Sequence, residues 1–155
     1  MRVQLCVIGR LRNGPERILI DDYLDRFNKA GRGIGLGPVV VHEMEAKKSG
    51  MAEEATLLRR AIPKGAVLIT LDERGKVISS PDFADQLANY RDQGRGDIAI
   101  VIGGADGIAP DLRKEADFSI SFGKMVWPHM LVRVMIAEQL YRAASILNNS
   151  PYHRV

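Results

Sequence analysis

The stretch Asp97–Gly107, DIAIVIGGADG, decides the fold. From Asp97 to Ile102 it is almost continuously apolar and β-branched, with no polar alternation, which is the pattern of a strand covered on both faces at the centre of a parallel sheet. A glycine-rich turn, Gly103-Gly104-Ala105-Asp106-Gly107, follows at once, where main-chain groups can approach a ligand without a Cβ in the way. Working backwards, Ser80-Pro81 predicts an N-cap and first turn for a helix that buries Phe83, Leu87 and Tyr90. Ala66–Leu71 reads as the preceding strand. Ser49 opens a helix with Met51, Ala55, Leu58 and Ile62 on one face, closed by Pro63-Lys64-Gly65. Pro38–His42 reads as a strand, Pro15–Lys29 as a helix with Ile20, Leu24 and Phe27 inward, and Val3–Ile8 as the first strand. The glycines at 31, 33, 35 and 37 read as a loop between units. Strands alternating with helices imply an α/β fold, a mostly parallel sheet flanked by helices. With 155 residues the chain is expected to be one domain, 1–155.

Composition narrows the function classes. Nearly half the residues are apolar and about a quarter charged, a globular profile. The net charge of +3 and pI near 9.2 are compatible with a polyanionic partner without requiring one. The pairs Lys47-Lys48, Arg59-Arg60 and Arg113-Lys114 read as solvated charges, so RNA recognition would need a shaped surface, assembled from one chain or more. The one cysteine, Cys6, lies in an apolar strand, so no disulfide or cysteine metal site is available. No apolar run reaches membrane-spanning length and no signal-peptide core precedes Arg10 and Arg12, so no membrane association and a cytoplasmic location are expected. His42, His129 and His153 are too dispersed for a metal site. The glycine turn lacks the G-x-G-x-x-G spacing, and Gly9–Gly14 lacks the Lys-Ser/Thr of a phosphate-binding loop.

The segment after the glycine turn is unusual in another way. Over a helix of roughly Pro128–Asn148, Glu138, Arg142, Ser145 and Asn149 form one narrow polar stripe, and apolar residues occupy most of the remainder. Such a helix needs cover on two sides. Its own sheet is one, and a second subunit is the expected other. Arg133 lies off the polar stripe in the first turns, where the helix dipole disfavours a cation. It needs either an intramolecular carboxylate or an external anion.

Four strings now carry a resemblance: LDERGK (Leu71–Lys76), the IGGADG turn, SFGKMVWPHMLVRVMIAEQLYRA (Ser121–Ala143) and the terminal NNSPYHRV. Together they resemble the RlmH family, the small SPOUT-class methyltransferases of bacterial ribosomes, across essentially the whole chain. The resemblance implies methylation, dependent on S-adenosyl-L-methionine, of N3 of a pseudouridine in 23S rRNA, at the position conventionally numbered 1915, in the assembled ribosome. It also implies a C-terminal trefoil knot and a homodimer with an active site shared between chains. Carried onto this sequence, the cofactor-binding residues are Leu71, Gly103 and the loop Phe122, Gly123, Lys124, Met125, Val126 and Trp127. The catalytic residues are His153 as proton acceptor, Tyr152 stacking on the base and Arg154 on phosphate or carbonyl oxygens. His129, Arg133 and Arg142 are candidate substrate contacts. The runner-up readings are a non-catalytic ribosome-binding protein on the same fold and a nucleotide-cofactor enzyme acting on a small molecule.

Overall fold

A computed structural model describes residues 1–154. Five parallel strands lie in the order β2-β1-β4-β3-β5, with β1 at Arg2–Ile8, β2 at Val39–Met44, β3 at Val67–Val77, β4 at Asp97–Ile102 and β5 at Phe118–Ser121. Five α-helices connect and cover them: α1 Pro15–Gly31, α2 Met51–Ala61, α3 Ser80–Asp92, α4 Pro110–Glu115 and α5 His129–Leu147. The unbroken apolar run of β4 sits mid-sheet as its composition demands. Ile98, Ile100 and Ile102 point into a core shared with α1, α3 and α5, while Ala99 and Val101 point into a smaller one under α2 and α4. Period-2 alternation thus feeds two layers from one strand, the arrangement of a three-layer α/β/α sandwich.

Several local expectations change. The helix at 80 is capped one residue earlier, by Ser79, whose hydroxyl accepts from Asp82 N–H at 3.1 Å while the Asp82 carboxylate accepts from Ser79 N–H. Ser80 has a different task, donating to Gln139 of α5 at 2.7 Å. Gly50, not Ser49, is the cap of α2, with no side-chain bond. The glycines at 31–37 are not all loop, since Gly31 closes α1 and Arg32–Ile34 form a 3₁₀ turn.

β3 outlasts its expected end at Leu71. Both Leu71 and Lys76 pair with Ile120, so residues 72–75 bulge out of the ladder. Gly75 makes the bulge possible, because a Cβ there would lie 2.7 Å from the Ile120 carbonyl carbon. The LDERGK string therefore encodes a shift of register against β5.

The cover for α5 is also different from the expectation. Its own α1 and α3 flank it on the sheet, leaving Ile136, Ala137, Leu140, Ala143 and Ala144 essentially buried within the single chain. Ser145, assigned to the polar stripe, is buried too, and its hydroxyl bonds back to the Tyr141 carbonyl at 2.9 Å. The unsatisfied apolar surface lies instead before and at the first turn: Met125, Val126, Trp127, Met130 and Leu131 are 40–84% exposed.

Candidate cofactor pocket and C-terminal tail

Ligands of open α/β sheets gather at the carboxyl ends of the strands, where the crossovers part. Here the ends of β3, β4 and β5 surround a cavity of about 320 Å³, within the range of small-molecule sites. The resemblance-derived residues Leu71, Gly103, Phe122, Gly123, Met125, Val126 and Trp127 all line it, and so does His129, the first residue of α5. Lys124 is on the same loop but exposed and outside the lining. The glycine turn closes tightly, with Gly107 N–H donating to Gly104 O at 3.0 Å, and a Cβ on Gly103 would lie 2.6 Å from Gly107 O.

Sequence reasoning missed the acids of this wall. Asp72, Glu73 and Asp106 line the cavity against Arg74 as its one Lys or Arg. The Asp72 side chain is only 6% exposed, held by Arg74 N–H at 2.9 Å, with Arg113 Nε 3.9 Å from its carboxylate. The signal was present in LDERGK, but its acids faced the pocket only because of the bulge. An acidic, apolar wall suits a cationic ligand and opposes a phosphorylated one.

Arg133 is directed elsewhere. It is 4% exposed and donates to Ile8 O at 2.6 Å and Gly9 O at 2.8 Å, with Glu43 Oε2 3.4 Å away, which is the intramolecular carboxylate alternative raised from the sequence. Burial holds its guanidinium below the usual arginine range despite Glu43. Its geometry ties α5 to the ends of β1 and β2.

The tail folds back on the far end of α5. Tyr152 packs on Tyr141 with ring centroids 4.5 Å apart and donates to Glu138 Oε1 at 2.9 Å; the Arg142 guanidinium lies 4.8 Å from the Tyr152 ring centre. Burial, then the Glu138 carboxylate, raises the Tyr152 phenol well above its ordinary range. Arg142 also donates to Glu138 and approaches His153 Nδ1 at 3.2 Å. Because a guanidinium only donates, a neutral His153 in this arrangement keeps its proton on Nε2. Arg154 is exposed. Val132 lines the pocket and Arg142 bears the tail cluster, ten residues on, a separation of about 15 Å along the helix. The structure therefore brings the expected cofactor residues other than Lys124 together, and His153, Tyr152 and Arg142 together, but not the two groups with one another in one chain.

No group of three or more potential metal ligands occurs among the described residues, and no described helix is long and apolar enough to cross a membrane. Residues 1–153 match a family model described as "Predicted SPOUT methyltransferase". The chain is 70% identical to the ribosomal RNA large subunit methyltransferase H of Ruegeria sp. (strain TM1040), and 70% to that of Ruegeria pomeroyi, each over 100% of both chains. Among solved structures, a probable methylase family protein from Haemophilus influenzae Rd KW20 superposes with a TM-score of 0.56 at 12% identity, covering 99% of this chain and 70% of that one, which shows a shared fold. The family model over residues 1–153 and the full-length sequence identity agree, and the chain belongs to the SPOUT methyltransferases, in the family of ribosomal RNA large subunit methyltransferase H.

Proposed function

We propose that the protein methylates N3 of a pseudouridine in 23S rRNA, at the position numbered 1915, using S-adenosylmethionine and acting on the assembled ribosome. The observation that carries the reading is the full-length 70% identity to relatives named for methylation of large-subunit ribosomal RNA. The pocket fits the cofactor on its own chemistry. A sulfonium and an α-ammonium are cations, and Asp72, Glu73 and Asp106 line the wall; a flat adenine suits the Cβ-free Gly103 turn and the apolar side chains of Leu71 and Phe122. When bound, the cofactor supplies an electrophilic methyl whose C–S bond breaks with its electron pair returning to sulfur.

The chain's residues must hold N3 in line with that methyl and remove its proton so that the nitrogen lone pair is free to attack. In this reading Tyr152 stacks on the extruded base and Arg154 meets phosphate or carbonyl oxygen. His153 accepts the N3 proton at Nδ1 once Arg142 turns from it to an RNA phosphate. His129 borders the base from the pocket side, and Arg133 serves by fixing the first turns of α5.

The separation of tail and pocket along α5 supports a homodimer in which one protomer's tail serves its partner's pocket. The exposed apolar run Met125–Trp127 with Met130 and Leu131, at the pocket mouth, is the surface for that partner. A trefoil-knotted C-terminal region belongs to the same reading. The decisive experiment is transfer of labelled methyl from S-adenosylmethionine to free 23S rRNA, separate subunits and whole ribosomes, with mapping of the product. Label at N3 of pseudouridine in whole ribosomes is the expected result. Calorimetric binding of S-adenosylmethionine without methyl transfer to any of the three would favour the non-catalytic binding protein, and turnover of a small molecule would favour the third reading.

A further inference from the structure

Two basic segments at the carboxyl ends of the strands have no part in the pocket. The loop 9–14 follows β1 and the segment 46–50 follows β2; each carries two cations and no acid, Arg10 and Arg12 in the first, Lys47 and Lys48 in the second. Parallel register sets their height. Val7 pairs with Ile102 and Ile8 with Met44, so both segments leave the sheet level with the glycine turn that begins at Gly103. Strand spacing puts the end of β1 about 5 Å and that of β2 about 10 Å across the sheet from the end of β4. The first loop is held in place. Buried Leu11 donates its N–H to Glu43 Oε2 at 2.6 Å and accepts from Arg17 at 3.2 Å, while Arg133 of α5 donates to Ile8 O and Gly9 O at the loop's base. Arg10 and Arg12, on either side of Leu11, are exposed, as are Lys47 and Lys48. None of the four side chains has a hydrogen bond or ion pair among the described residues, whereas Arg17, Arg26, Lys29 and Arg59 on the helices are held by Asp21, Asp22, Asp25 and Glu115.

We propose that Arg10, Arg12, Lys47 and Lys48 form a phosphate-holding rim that docks the backbone of the substrate RNA beside the cofactor pocket. This inference rests on the reading of the protein as a methyltransferase of ribosomal RNA. A ribose-phosphate chain cannot follow its base inward, because Asp72, Glu73 and Asp106 line the pocket wall and repel phosphate. The base alone enters, and its backbone has to be held outside. Cations without an intramolecular carboxylate suit that task, since an ion pair already made must break before a phosphate can replace it. A rim that touches phosphate and not base supplies affinity and orientation, and leaves the choice of nucleotide to the pocket and the tail. Arg133 joins the two parts, fixing the base of the loop 9–14 to the helix whose residues His129 and Val132 line the pocket. Rim and reacting centre therefore keep a constant spacing.

The test uses the full-length protein and whole ribosomes: filter binding over a range of salt, methyl-transfer kinetics, and calorimetric titration with S-adenosylmethionine. Two double variants, Arg10→Gln with Arg12→Gln and Lys47→Gln with Lys48→Gln, each remove two charges from exposed positions. Each should raise the KM for ribosomes about tenfold with kcat at saturating ribosomes within about twofold. The slope of log affinity against log salt should fall by roughly 1.5, the share of two phosphate contacts. Affinity for S-adenosylmethionine should stay within about twofold, which also reports that the variants fold. Arg10→Lys with Arg12→Lys keeps the charge and should return the KM to within about threefold of wild type. Lys64→Gln with Lys114→Gln removes the same charge from exposed positions at the opposite ends of the strands and should change neither KM nor slope. Wild-type KM in either double variant of the rim, an equal loss in the Lys64 and Lys114 variant, or a loss confined to kcat would overturn the proposal. So would weaker ribosome binding with an unaltered salt slope, the signature of contact with a ribosomal protein instead of RNA. An unaltered protein that binds ribosomes without methylating them removes the methylation reading, and the salt slopes of the double variants still decide the rim. Failure to bind ribosomes at all removes both.

Discussion

At Gly103 a single missing Cβ holds the pocket open. Adding one would bring it to 2.6 Å from Gly107 O and 3.0 Å from an Ile108 side-chain carbon, so Gly103→Val forces the turn itself to move, and the ligand space is lost through backbone displacement. The variant is expected to retain its fold by circular dichroism and to bind S-adenosylmethionine at least about tenfold more weakly by calorimetry, a cost of roughly 1.4 kcal/mol or more. Cys6 makes the opposite case, a reactive atom silenced by position. Burial pushes its thiol up to about 12. At pH 8 only about one thiol in 10⁴ is then ionised, and a disulfide reagent should leave the native protein untouched while titrating one thiol after denaturation. Where a motif named the residues, as for Gly103, Phe122, Gly123 and Met125–Trp127, they line one cavity, while Lys124 of the same motif does not. Asp72 was not legible in this way, because its relation to the turn depends on a bulge.

Elements with strong periodicity were readable within a few residues, and the least periodic were not. α4 and β5, of 6 and 4 residues, are too short to show a period and are held by tertiary bonds such as Asp117 N–H to Leu68 O at 2.8 Å. β3 was read short because its second half, mostly exposed, carries Asp-Glu-Arg-Gly where a buried strand would be apolar. The tail shows the converse. Chain ends ordinarily fray, yet Tyr152 is fixed by Tyr141, Glu138 and Arg142, and sequence offers no way to see an aromatic folding back over a helix. Deleting residues 152–155 should abolish methyl transfer to ribosomes while leaving S-adenosylmethionine affinity within about twofold, since Tyr152 and His153 meet the far end of α5 and do not line the pocket. Wild-type turnover in the truncated protein would leave His129 or Arg142 as the next candidates for the catalytic role.

For the molecule as a whole, the fold class followed from one apolar strand and the βα alternation around it. The broad apolar surface of α5 argued for a second subunit, but the structure spends most of that surface on α1 and α3. Substituting Ile136 or Leu140 would therefore report on folding. Leu131→Asp is the better probe, because Leu131 is 40% exposed beside Met130 and the Met125–Trp127 run. The unaltered protein should sediment as a dimer at micromolar concentration, and Leu131→Asp should shift it to monomer with little change in thermal midpoint, losing methyl transfer as it does so.

The five parallel strands also give the molecule a front and a back. Every strand points its carboxyl end toward the pocket, so Met1, whose ammonium donates to Gly35 O at 2.6 Å, sits at the back, one seven-residue strand away, about 23 Å. A peptide tag or dye joined at Met1 costs at most that exposed bond and should leave methyl transfer at the wild-type rate, whereas the same tag appended after Val155 lies within two residues of His153 and Arg154 and should suppress it. Immobilising the protein by its first residue would leave the working face free for its RNA substrate.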